Sequence, residues 1–156
     1  MPGFIYFGVD WAIKEHDYII LFTGGLSGIS KEKKAELESM LEFIKDDTYY
    51  ESFADKLTHI VFSVAKVGHY FADGNKRSSI AIGSYFMIVN GLGALVGVFI
   101  PSMENVVLCV ADNIISKNQL HEIIEEILCE GEMSEESQLL VLNGMEEYQS
   151  REDERM

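Results

Sequence analysis

The sequence is short of cysteine and short of basic residues, and each shortage excludes something. Two cysteines, Cys109 and Cys129, occur in 156 residues, which fits neither a disulfide framework nor a zinc pattern. Both are expected to be reduced thiols packed on helices. Twelve lysines and arginines face 26 acids, for a net charge of −14. That balance argues against gripping nucleic acid through a broad basic face. No apolar run is expected to reach the ~18 residues a membrane-crossing helix needs; the longest, Leu92 to Pro101, is about half that and is broken by glycine. The opening MPGFIYFGVDWAIKEHD has no basic n-region and meets Asp10 too early for a signal peptide. Together these absences predict a cytoplasmic protein with no membrane and no direct nucleic-acid partner.

What is present is an ordinary globular composition, 47% hydrophobic and 24% charged. A single domain of this length hides on the order of 70% of its unfolded surface. The acid excess is uneven: Glu130 to Met156 carries nine acids and two arginines, half of the whole net charge. The expected organisation is therefore a domain over 1–130 and an acidic tail over 131–156, partly helical or disordered. Within the tail, Leu139 to Met145 supplies an apolar group that could dock on the domain or on another protein.

The hydrophobic period is helical almost throughout, which predicts an all-α class with about six helices. Asp10 is the expected cap of a first helix, stopped by Thr23-Gly24-Gly25. The following GGLSG loop should visit positive φ. Ser30 opens a second helix, and Ser52 a third with the clearest core face, Phe53, Leu57, Ile60, Val61, Val64 and Val67. Between them Asp46 to Tyr50 should be a loop or short hairpin. A fourth helix from Asn75 to Val89 is apolar on nearly all sides and is expected to be central and buried. Residues 91–100 should form a short strand or packed loop, before two more helices capped by Ser102 and Ser116.

Chemistry is concentrated in residues 69–77, HYFADGNKR. A histidine can take a proton from a hydroxyl near neutral pH. An aspartate in the same turn can hold Mg²⁺ through a hard oxygen, leaving its other positions to phosphate and water. Gly74 lets the backbone approach an anion, and the amides of Asn75, Lys76 and Arg77 open a helix whose dipole favours phosphate. Lys76 adds a point charge and Arg77 a bidentate fork. Any one of these residues alone fits a capped turn. All of them within nine positions, opening the most buried helix, make a phosphate site with a base beside it.

The segment resembles the signature of the Fic/Doc family, written H-x-F-x-[DE]-[GA]-N-[GK]-R-x-x-R. His16-Asp17, GGLSGIS, LESML at Leu37 to Leu41, YYESFADKL and Asn90-Gly91 are similar in order and spacing to the death-on-curing (Doc) toxin branch. The resemblance covers about residues 10 to 128. It implies a compact helical bundle around a buried central helix, with ATP and Mg²⁺ as cofactors. Two positions point to the branch. Lys76 stands where AMP-transferring members usually have glycine, and Ile80 stands in the slot of the second arginine, so a phosphate ligand is missing. The Doc branch resembles this chain at both points, which implies transfer of the γ-phosphoryl of ATP to a hydroxyl of a protein, a translation elongation factor. The alternatives are AMP transfer and a catalytically silent binding protein. By resemblance His69 is the catalytic base, Asp73 the metal ligand, and Gly74, Asn75, Lys76 and Arg77 bind phosphate. Phe71 is expected to face the core. An antitoxin encoded nearby is the implied second partner. Asp46, Asp47, Thr48, Tyr49 and Tyr50 lie where the family places a flap that docks the target.

Tyr70 replaces a frequent proline, so the loop lacks one rigid φ. His59 is expected to pack beside the third helix. His16 and His121 are expected at the surface, with His16 also placed to help pack the loop. At the chain end, Ser150 to Arg155 is a poor match to the family's self-inhibiting motif, and Ile80 removes the arginine that its glutamate would pair.

Overall fold

A computed structural model describes residues 3–156, and among them every regular element is a helix. The order is α1 (Val9–Thr23), α2 (Lys31–Phe43), α3 (Phe53–Phe62), α4 (Asn75–Val89), α5 (Val96–Ala111), α6 (Lys117–Glu130) and α7 (Glu135–Arg155). The expected all-α class stands, with one helix more than expected.

Serine starts most of them. Ser30, Ser52, Ser116 and Ser134 each accept a backbone N–H of the first turn, a cap worth about 1 kcal/mol. Ser52 and Ser116 complete capping boxes with Asp55 and Gln119. α1 departs from expectation. It begins after Gly8 without a side-chain cap, and Asp10 sits inside its first turn. Val9, Ala12 and Ile13 pack on the core and carry the helix start back past Asp10.

α4 is the central helix, packed against α1, α3 and α5. Ile82, Phe86 and Met87 along it are fully buried. α6 packs on α3 and α5, and α2 on α1. α3 continues through a wider π turn, Ser63–Val67, and stops at Gly68. Such turns often stand beside functional residues, and His69 follows at once.

Two expectations fail here. Residues 91–100 are neither strand nor packed loop: a 3₁₀ turn at Gly93–Leu95 runs directly into α5, so Ser102 lies inside a helix and caps nothing. Gly91, Gly93, Gly97 and Pro101 mask the helical period, yet Phe99, Met103, Val106 and Val110 fall on one buried stripe. Joined this way, Gly93–Ala111 is 19 residues of mean hydropathy 1.9, long and apolar enough to cross a membrane. The short apolar run expected above is thus a longer one. In this fold its buried stripe packs on α4, α6 and α7.

The tail takes the helical one of its two expected forms. Its 21-residue helix, α7, lies on α5 with Ser137, Val141 and Gly144 buried, so the tail is an ordered part of the bundle. Gly144 allows the approach: a Cβ there would stand 3.1 Å from Cys109 Sγ. Arg151 and Arg155 both reach Asp112 at the end of α5. Leu139 and Leu142 remain exposed.

Candidate active site

The nine-residue segment forms one wall of a cavity of about 500 Å³. His69, Asp73, Gly74, Asn75, Lys76 and Arg77 all line it. α5 supplies the facing wall with Val107, Leu108, Ala111 and Glu104, and Ile80 makes part of the lining apolar.

Local geometry explains how these side chains are set. His69 has φ +46, a region few non-glycine residues occupy. Its neighbour Tyr70 turns inward and is 6% exposed. The Tyr70 ring lies over Gly68, where any Cβ would fall within 2.2 Å of it. Packing of that ring replaces the stiffness that proline would give. His69 itself is exposed and makes no hydrogen bond among the described residues. Phe71 is buried, as expected.

Asp73 is held by amides. Gly74 N–H donates to Oδ1 at 2.8 Å and Leu26 N–H to Oδ2 at 3.3 Å. Those two hydrogen bonds, with the charges of Arg77 and His16, hold its carboxyl below the usual value. The glycine loop after α1 therefore touches the site. Gly25 has φ +122, and a Cβ on it would lie 2.6 Å from Asp73 Oδ2. Positive φ in this loop was legible in the sequence; its contact with Asp73 was not.

Gly74 is the N-cap of α4 in the left-handed conformation, φ +78. It offers no side-chain cap, so the first-turn amides of α4 face the cavity unpaired by any cap. A Cβ at Gly74 would press on Ile20 at 2.9 Å and Arg77 at 3.3 Å.

The three remaining expected phosphate ligands differ in how far their side chains are engaged. Lys76 is exposed and pairs with no acid. Arg77 is partly engaged, donating to Gly24 O at 3.1 Å and to Thr23 Oγ1, with Asp73 at 3.8 Å. Asn75 lines the cavity with its side chain already committed. Its Oδ1 accepts from Phe71 N–H and its Nδ2 donates to Phe71 O, so its amide clamps the loop, and the phosphate-facing group it can offer is its backbone N–H.

Asp46, Asp47, Thr48, Tyr49 and Tyr50 do not join the site. They precede α3, whereas His69 follows the π turn at its far end, about 20 Å away at 1.5 Å per residue. None of them lines the cavity. Their side chains do structural work instead: Asp46 Oδ1 accepts from Thr48 N–H, and Asp47 pairs with the fully buried Lys56 at 2.8 Å. Tyr49 stacks on Phe43.

Two contributors escaped the sequence, and a third was read only in part. His16, expected at the surface and placed to help pack the loop, does pack it but is fully buried. Its ring stacks on Phe71 at 3.8 Å, and Nε2 donates to the Asp73 carbonyl at 2.7 Å. Lys66 lines the cavity while donating to Asn113 Oδ1. Glu104 is the single charge in the apolar stretch 92–111, and that isolation was the signal available. Among the described residues no three acids, histidines or cysteines gather as a metal cage. Asp73 is instead one ionised oxygen ligand, a donor that suits a cation held mostly by phosphate and water.

Compared with models of known protein families, with curated proteins and with solved structures, the chain matches none.

Proposed function

We propose that this chain is a Fic/Doc-type phosphotransferase that moves the γ-phosphoryl of ATP to a hydroxyl of a protein. One observation carries the reading: a single cavity collects an unengaged base at His69, an unengaged cation at Lys76, an ionised Asp73 and the uncapped start of α4. In the proposed step His69 takes the proton of the acceptor hydroxyl, whose oxygen bonds to the γ-phosphorus as the bond to the β–γ bridging oxygen breaks. ADP leaves. Lys76, Arg77 and the amides opening α4 hold phosphate oxygens. Asp73 would hold Mg²⁺, which supplies charge neutralisation when bound. The apolar wall of Val107, Leu108 and Ala111 suits a nucleobase. Ile80 in the lining leaves the place of a second arginine apolar, which favours phosphate over AMP transfer.

A protein substrate needs a surface, and α1 offers one beside the glycine loop. Tyr18, Leu21, Phe22 and Leu26 are each more than 60% exposed there. Toxin activity on a translation factor, restraint by an antitoxin and a cytoplasmic location belong to the same reading.

The test is incubation of the protein with cell extract and ATP labelled at either the γ or the α position. Label from the γ position on a protein, lost in His69→Ala with its helical spectrum intact, is the expected result. Label from the α position, or undiminished transfer by His69→Ala, would overturn the proposal.

A further inference from the structure

The loop that carries His69 is pinned on both sides by one short stretch of chain, residues 28–33. Ala72 N–H donates to Gly28 O at 3.2 Å, and Lys33 Nζ donates to Gly68 O at 3.0 Å. We propose that Lys33, on α2, is a positioning residue: its hold on the Gly68 carbonyl sets the backbone turn that brings His69 into the cavity. The inference rests on the reading of His69 as the base of a phosphotransfer.

His69 does not hold itself in place. Its φ is +46 and its side chain is exposed, and neither ring nor backbone makes a hydrogen bond among the described residues. A non-glycine residue stays in that region only where its surroundings impose it. Gly68 is the residue that can impose it. A peptide unit is planar, so the Gly68 carbonyl and the His69 N–H move as one plate. Fixing the Gly68 oxygen fixes the plate against which the φ of His69 is set. Gly68 N–H is taken by Ser63 O at 2.8 Å, which closes the π turn. The Gly68 carbonyl stands at the end of a helix, where no partner follows within the helix. Lys33 is the one side chain that donates to it among the described residues, and an ammonium suits the negative end of a helix.

Apolar packing leaves this end of α3 under-held. The wider turn carries Val67, expected on the core face, to 60% exposure. The Tyr70 ring fills the space beside Gly68, which leaves the direction of the carbonyl to Lys33. Lys33 is itself firmly seated. Ser30 Oγ takes its N–H at 3.1 Å as α2 begins, and Glu36, three residues on, pairs its ammonium at 2.9 Å. The phosphate half of the loop has separate holders, Asn75 on Phe71 and His16 on the Asp73 carbonyl. Loss of Lys33 therefore reaches the base and spares the phosphate ligands.

The experiment compares Lys33→Met and Lys33→Arg with the parent chain in two ways. Initial rates of γ-label transfer in desalted cell extract are measured over a range of ATP concentrations. Lys33→Met should lower the maximal rate at least about tenfold with the KM for ATP unchanged, as displacement of a reacting group implies. Lys33→Arg keeps a charged donor and should recover most of that loss. The second readout is the nuclear Overhauser cross-peak between the amide and α protons of His69, which is strong at positive φ. It should weaken in Lys33→Met and persist in Lys33→Arg. An undiminished cross-peak in Lys33→Met would overturn the inference whether or not the chain transfers phosphate. So would a raised KM with the maximal rate intact. No transfer by the parent chain, with the cross-peak weakened in Lys33→Met, would sink the phosphotransfer reading and keep Lys33 as the residue that sets His69.

Discussion

At the scale of single residues, Asp73 shows how backbone amides decide a side chain's charge. Its folded pKa is depressed, so the stability it lends is complete above its ordinary value near 3.8 and is lost as pH falls through the lower folded value. Between about pH 5 and 8 the carboxylate is therefore constant, and on the proposed function Mg²⁺-dependent ATP affinity should not vary through this group. Asp73→Asn should weaken that affinity at least about tenfold across the range, by calorimetry, because the substitution keeps the size and removes the charge. The same scale shows what a sequence conceals. That His69, Asp73, Lys76 and Arg77 gather at one place was legible because their chemistry is dense within one short segment, and all four line one cavity. His16 was legible only as a residue placed to help pack the loop; its burial was not, since its partners Phe71 and Asp73 lie more than fifty positions away.

At the scale of elements, α4 was legible to its ends, because Gly74 and Asn90 punctuate it on both sides. α5 was not, because propensity and packing disagree there. Its glycines and Pro101 speak against a helix, and its buried stripe against α4 overrides them. Pro101 is the sixth residue of α5 and has no N–H for the carbonyl of Gly97. Pro101→Ala should restore that bond at an exposed position and raise unfolding stability by about 1 kcal/mol, read from urea denaturation. The segment Asp46 to Tyr50 takes no part in the cavity for the opposite reason. Its position in the order of elements resembled a flap, but the length of α3 carries it away from the cavity.

At the scale of the whole molecule, the net charge of −14 does not keep the acidic tail off the body, since α7 docks through its own two arginines. Burial alone would raise Asp112, but hydrogen bonds and charge from Arg155 and Arg151 outweigh it and hold its carboxyl low. The clamp is therefore complete above the ordinary carboxylate range and fails as pH drops through the lowered value. Arg151→Ala with Arg155→Ala should lower the melting temperature by a few degrees at neutral pH, a small effect because the pairs are partly exposed. The difference from the parent protein should shrink in acid. The apolar pattern of residues 139–145 was enough to suggest docking. Asp112 as the anchor was not, because a charge pair between distant segments leaves no periodic trace.

The seating of α7 also gives the protein an internal clock. Cys109 is fully enclosed, with its sulfur 3.6 Å from Met145 Sδ, whereas Cys129 is exposed. Burial and the nearby Asp112 charge raise the Cys109 thiol, which leaves it less of the reactive thiolate. A thiol reagent should thus consume one equivalent at once at Cys129. The second equivalent, at Cys109, should follow only as fast as α7 lifts away. In the double arginine variant that slow phase should quicken while the fast one stays put. The two sulfurs would then time the departure of one helix from an otherwise folded chain, with no dye or label added to it.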